Sequence, residues 1–211
     1  MTTVRDLVDA QDVRAAFSFV ADLLEGVAVD DARWDSTAGD IEWTCRYVVS
    51  HIADCGTWYA ANLARQSTVT AECGEVAPTA SAPVLIDSLR SSAALLAAAV
   101  IAAGPDDRGC HPFGIADRSG FAAMGCDEVL VHGADLAAAF GLPYDPPREV
   151  CERVLRRLFP WAPADAEPWA ALLWANGRAP LGDFPTERRW LWQCAPLDEW
   201  DGKPRRMPEK E

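Results

Sequence analysis

The feature that most constrains this chain is an apolar stripe at helical spacing that returns, segment after segment, through its first two thirds. Leu7, Val13, Phe17, Val20 and Leu24 share one face of a segment that Gly26 can terminate, so the spacing predicts a helix over roughly residues 4–25. Residues 27–41, with Gly and Asp, read as a connection. A second helix is predicted from about 43 to 65, with Trp43, Tyr47, His51 and Trp58 on one side. Pro83 opens a third, carried by Leu85, Leu89, Leu96 and Val100 until Gly104-Pro105 stops it. Residues 105–117 read as a Gly/Pro loop, and a fourth helix follows over 118–140, closed by Gly141 and Pro143. Short helices over 148–158 and 168–176 and a strand over 187–194, where Arg188, Trp190 and Trp192 alternate with Arg189 and Leu191, complete the chain. The expected fold is mainly α: a four-helix bundle over 1–145 with a short α(+β) extension over 146–211, its last residues (roughly eight) disordered.

Composition narrows the partners. With 19 Lys and Arg against 32 Asp and Glu, the formal net charge is −13, a surface that repels phosphate backbones and excludes nucleic acid as a partner. The apolar run 93–103 is shorter than the ~20 residues that span a bilayer, and the charged opening around Arg5, Asp6 and Asp9 does not resemble a secretion signal. A cytoplasmic protein without a membrane partner is expected. Seven cysteines, an odd number and without a CxxC pair, argue against a disulfide framework and read as small core residues. Six of the nine tryptophans (161, 169, 174, 190, 192, 200) fall in the last third, which should therefore fold back on the bundle as a lid or a homodimer contact.

Two of the three histidines lie in the middle of long apolar-faced helices. Glu128 and His132 are four residues apart and project in the same direction, so one divalent cation can bridge carboxylate and imidazole. Apolar or small neighbours, Phe121, Met124, Gly125 and Val131, turn that pair inward, where an unpartnered carboxylate is costly and a metal ion offsets the cost. His51 on the second helix supplies a third ligand, because bundles build metal sites from facing helices. The readings without a metal are an intrahelical Glu–His hydrogen bond and a buried histidine satisfied by Tyr47 or a carbonyl.

The same residues carry a family resemblance. The segment Trp43-Thr44-Cys45-Arg46-Tyr47-Val48-Val49-Ser50-His51-Ile52-Ala53 resembles the W-x-x-x-[DE]-x-[LV]-x-H-[LI]-A motif of the DinB/YfiT-like metalloenzymes. The segment from Glu128 through His132 and Asp135 to Ala137 resembles their E-x-x-x-H-x-x-D-L-A motif. The resemblance covers about residues 10–142 and points to the actinobacterial branch with the mycothiol-dependent maleylpyruvate isomerase N-terminal domain. It implies a DinB-like four-helix bundle and thiol chemistry on a metal. Arg46-Tyr47 stands where the motif is acidic, and the C-terminal part is shorter than the isomerase's extra domain.

The expected function is a metal-dependent enzyme that activates a low-molecular-weight thiol, with mycothiol as co-substrate, for S-transfer or addition–elimination on a small electrophile. The ion, held by His51, Glu128 and His132, is expected to be zinc, with nickel, iron or manganese as alternatives. Tyr47, Trp58 and Met124 are expected to line the substrate pocket. Asp54, Asp135 and His111 are candidates for catalytic or orienting roles, although His111 reads first as an exposed loop residue. Cys55, one turn from His51, is a further candidate ligand or nucleophile. Two other function classes stay open: a thiol-independent hydrolase or lyase, and a non-catalytic bundle that binds a small molecule.

Overall fold

A computed structural model describes residues 7–208 of the 211. Four long helices form the bundle: α1 (Ala10–Glu25), α2 (Cys45–Arg65), α3 (Ala82–Ala102) and α4 (Arg118–Phe140). α1 and α2 lie diagonally, each packed against both α3 and α4. The central residues of their apolar stripes, Phe17, Val20, Leu24, Ile52, Leu63, Leu85, Leu89, Leu96 and Phe121, are at most 1% exposed, so the helical periodicity of the sequence is the periodicity of the core. A four-helix bundle with a small α+β extension, as expected, is the fold observed.

Local chemistry sets where each helix begins. The first helix does not reach back to residue 4: Asp9 accepts from the amides of Gln11 and Asp12 in a capping box, so α1 opens at Ala10, and residues 4–6 lie outside the described residues. α2 opens at Cys45 and not at Trp43, because Thr44 caps the amide of Tyr47 and the backbone before it bridges Thr37. Helix α3 is by length and composition apolar enough to cross a membrane, more so than its most apolar run suggested. In the bundle its Leu85, Leu89 and Leu96 face is buried against α1 and α2.

The connection before α4 corrects the sequence reading. It holds an antiparallel hairpin, β1 (Gly109–His111) with β2 (Gly114–Ala116), where a loop was expected. Three-residue strands are too short for an alternation pattern to declare itself. Gly109 is required there: a Cβ would sit 2.6 Å from the Asn62 carbonyl oxygen of α2 and 2.8 Å from the Phe121 ring.

Beyond the bundle, α5 (Arg148–Leu158) packs on α4 and α6 (Pro168–Ala175) on α5. The strand expected over 187–194 is absent: among the described residues that segment makes one isolated bridge, Trp190 to Arg206. Around that bridge Leu191 donates to the Arg205 carbonyl and Met207 to the Arg189 carbonyl, and the rest of the segment finds its backbone partners on α5. The Gln193 and Cys194 carbonyls accept from the guanidinium of Arg157, which is 1% exposed and also pairs with Asp117 at 2.6 Å. Further on, Arg205 donates to Gln193 and Arg206 pairs with Glu187 at 2.7 Å, and residues 209–211 of the tail expected to be disordered lie outside the described residues. All seven cysteines are free thiols, four of them buried.

Candidate metal centre

Helices α2 and α4 bring the two motifs face to face. The Nε2 atoms of His51 and His132 lie 3.7 and 3.5 Å from one atom, Oε2 of Glu128. These separations exceed a hydrogen bond. Two donors bound at 2.0–2.1 Å to one tetrahedral ion stand about 3.3–3.4 Å apart, so each imidazole nitrogen lies within a few tenths of an ångström of the spacing at which it would share an ion with Oε2. The other carboxylate oxygen, Oε1, accepts from the buried Tyr59 hydroxyl at 3.1 Å, leaving Oε2 to the two imidazoles. Burial raises the Glu128 pKa, but the two histidines and Tyr59 outweigh it and hold the carboxyl below its ordinary range.

The histidine rings are held in turn. Asp135 Oδ2 lies 3.0 Å from Nδ1 of His132, which directs Nε2 toward Glu128, and Arg178 backs the same carboxylate at 3.0 Å. Trp43, the first residue of the first motif, packs against both histidines, its ring centroid 4.8 Å from that of His51 and 5.8 Å from that of His132.

Two cavities meet at these side chains. One, of about 330 Å³, is walled by Trp43, Val131, His132, Asn176 and Arg178. The other, of about 660 Å³, is walled by Tyr47, Asp54, Cys55, Trp58, Tyr59 and His111. Both are bounded by His51, Glu128, Trp190 and Trp192. The C-terminal segment is therefore part of the site wall. It is fastened beside Glu128: Asn176 and the Trp192 indole each donate at 2.9 Å to the buried carboxyl of Asp127. Burial pushes that carboxyl up to about 8 against the pull of those two donors.

The family follows from a comparison of the whole sequence. A sequence model of the mycothiol maleylpyruvate isomerase N-terminal domain matches residues 13–137, from α1 to the last turns of α4. The chain belongs to this family. No curated protein and no solved structure matches it. The resemblance read from the two motifs is borne out, and in this mycothiol maleylpyruvate isomerase N-terminal domain both motifs lie inside the matched span.

Several other site residues fall differently from expectation. Met124 lies one turn before Glu128 but is 0% exposed and walls neither cavity, because that stretch of α4 is enclosed by neighbouring helices. Tyr47 and Trp58 do border the larger cavity. Asp54 borders it too, but its Oδ1 accepts from the Val76 amide at 2.7 Å and so ties down the loop after α2. Burial raises its pKa, and that amide opposes the shift. His111 is not an exposed loop residue. It is 7% exposed, ringed by Trp58, Tyr59, Phe113 and Trp192, with Nδ1 accepting from the Phe113 amide. Burial pushes its pKa down to about 4, which leaves it neutral.

The reading of single motifs missed Tyr59, although the four-residue spacing of His51, Cys55 and Tyr59 places all three on one face of α2. Asp127, Asn176 and Trp192 carried no such signal, since their meeting depends on how the extension folds back.

Proposed function

We propose that this protein is a metal-dependent enzyme that activates a mycothiol-like thiol for S-transfer or addition–elimination on a small electrophile. The observation that carries the proposal is the convergence of two imidazole nitrogens on one oxygen of Glu128 where two cavities join. His51, Glu128 and His132 would hold the ion, zinc in the first instance. A bound divalent cation lowers the pKa of a thiol or water and polarises a carbonyl. The contacts of Tyr59 with Glu128 and of Asp135 with His132 support this reading, since they would direct those side chains toward an ion.

The paired cavities favour a reaction of two organic partners over a hydrolysis, which needs room for one substrate and a water. Arg178 at the rim of the smaller cavity suits an anionic substituent, and the indoles of Trp190 and Trp192 suit apolar or planar groups. The net charge of −13 agrees with small-molecule partners and not nucleic acid.

Metal content of the purified protein, measured by elemental mass spectrometry, tests the proposal. About one equivalent is expected, lost in His51→Ala and His132→Ala variants that keep their helical circular dichroism. Titration with mycothiol should then perturb the spectrum of the cobalt-loaded protein saturably. Metal without any response to thiol would move the reading to a hydrolase or lyase. No metal after reconstitution would leave the non-catalytic binding bundle.

A further inference from the structure

Among the described residues, the group of potential metal donors whose ligand atoms all lie close together is not the His51, Glu128 and His132 set. One ligand atom from each of His51, Cys55 and Glu128 lies within 4.8 Å of the other two. Cys55 Sγ is 3.5 Å from Nε2 of His51 and 3.9 Å from Nδ1, so the sulfur sits nearer the nitrogen that also faces Glu128 Oε2 at 3.7 Å. Sulfur, nitrogen and oxygen therefore form a triangle on the wall of the larger cavity. With bonds of about 2.3 Å to sulfur and 2.0–2.1 Å to nitrogen, a tetrahedral ion holds those two donors about 3.5 Å apart.

We propose that Cys55 is a protein ligand of the same ion, so that the site is a mixed nitrogen, oxygen and sulfur set. The inference rests on the metal-dependent reading above and deepens it. Its basis is local: α2 places Cys55 one turn after His51, and Tyr59, a turn further, holds the Glu128 carboxylate that closes the triangle. A thiolate in the set favours zinc, cobalt or cadmium over manganese and magnesium, which prefer oxygen donors. Binding an ion there releases the thiol proton to solvent, and no electron moves. With four protein donors the tetrahedral shell would be full, so an incoming low-molecular-weight thiol would bind as a fifth ligand at a centre that already carries one sulfur.

The test is cobalt(II) loading of the wild type, Cys55→Ser and His132→Ala, read by near-ultraviolet thiolate-to-cobalt absorption together with zinc affinity from chelator competition. The wild type should show the absorption, and His132→Ala should retain it on whatever cobalt it still binds. Cys55→Ser should bind cobalt without it and lose zinc affinity on the order of a hundredfold, one ligand's share of a structural zinc site. In the wild type, zinc should also protect Cys55 from iodoacetamide in a peptide map, a readout that needs no variant. Stoichiometric cobalt without thiolate absorption, with Cys55 alkylated equally with and without zinc, would overturn the ligand role and leave the metal-dependent function standing. Failure of the wild type to bind any metal would overturn both.

Discussion

At the scale of single residues, the candidate centre depends on side chains outside the donor set. Asp135 is shared between His132 and Arg178, and replacing it by Asn removes the charge that favours Nε2 of His132 as a donor. Asp135→Asn is expected to weaken metal binding roughly 10–100-fold, measured by competition with a chromophoric chelator, while helical content is unchanged. Met124 supplies the contrast. It stands one turn from Glu128 yet belongs to the core, so Met124→Ala should cost about 2–5 kcal/mol of stability in denaturant unfolding and leave metal stoichiometry untouched. If Met124→Ala instead lowered metal content at full stability, its place in the core would be the wrong explanation. Both residues lie on one helix within a few turns of the site, and burial separates their roles where spacing cannot.

At the scale of elements, the segment carrying Trp190 and Trp192 has almost no ladder of its own and is held by α5. The Arg157 guanidinium binds two of its carbonyls and the N-cap aspartate of α4, which makes one buried cation the joint between extension and bundle. A Cβ on Gly120 would meet that guanidinium at 2.6 Å, so the first turn of α4 is shaped around it. Removing the cation leaves Asp117 and two carbonyls short of a partner. Arg157→Ala should therefore cost on the order of 3–5 kcal/mol. Acrylamide should also quench the C-terminal tryptophans more strongly than in the wild type, and unchanged quenching would mean that the segment's other contacts, among them Trp192 with Asp127, hold it without the cation.

At the scale of the whole molecule, buried ionisable groups give stability a dependence on pH. The imidazole of His111 is pushed down by burial from 6.5 to about 4. Below pH 6.5 the unfolded chain takes up a proton that the folded chain refuses. Stability that is complete above that pH is lost as the pH falls, and the loss levels off near 4. Asp127 acts in the opposite sense: with its carboxyl raised to about 8, its contribution is complete at low pH and is lost as the pH rises from about 4 through 8. The two overlap, so a difference experiment isolates one. Relative to His111→Asn, which keeps an acceptor for the Phe113 amide and does not titrate, the wild type should lose about 2–3 kcal/mol between about pH 7 and pH 4.5 in urea unfolding. A gap that stayed constant with pH would place the His111 ring in contact with water.

The sequence by itself determined the parts of this protein that depend on neighbours along the chain. Apolar residues at helical spacing define the four helices, and Gly104-Pro105 and Gly141 end two of them. Two motifs place His51, Glu128 and His132 on inward faces, because a helix fixes the direction of a side chain from its number. Tertiary structure decided what depends on residues far apart. The hairpin at 109–116 exists because it packs on α2 and α4, and its strands are too short to carry a pattern of their own. Trp192 and Asn176 reach Asp127 across separations of 65 and 49 residues, which no periodicity encodes. Cys55 lay on a readable face of α2, but only the approach of Glu128 from α4 places its sulfur within a donor group. Helix geometry is local and therefore legible, whereas the meeting of helices, hairpin and extension is a packing problem solved by the whole chain.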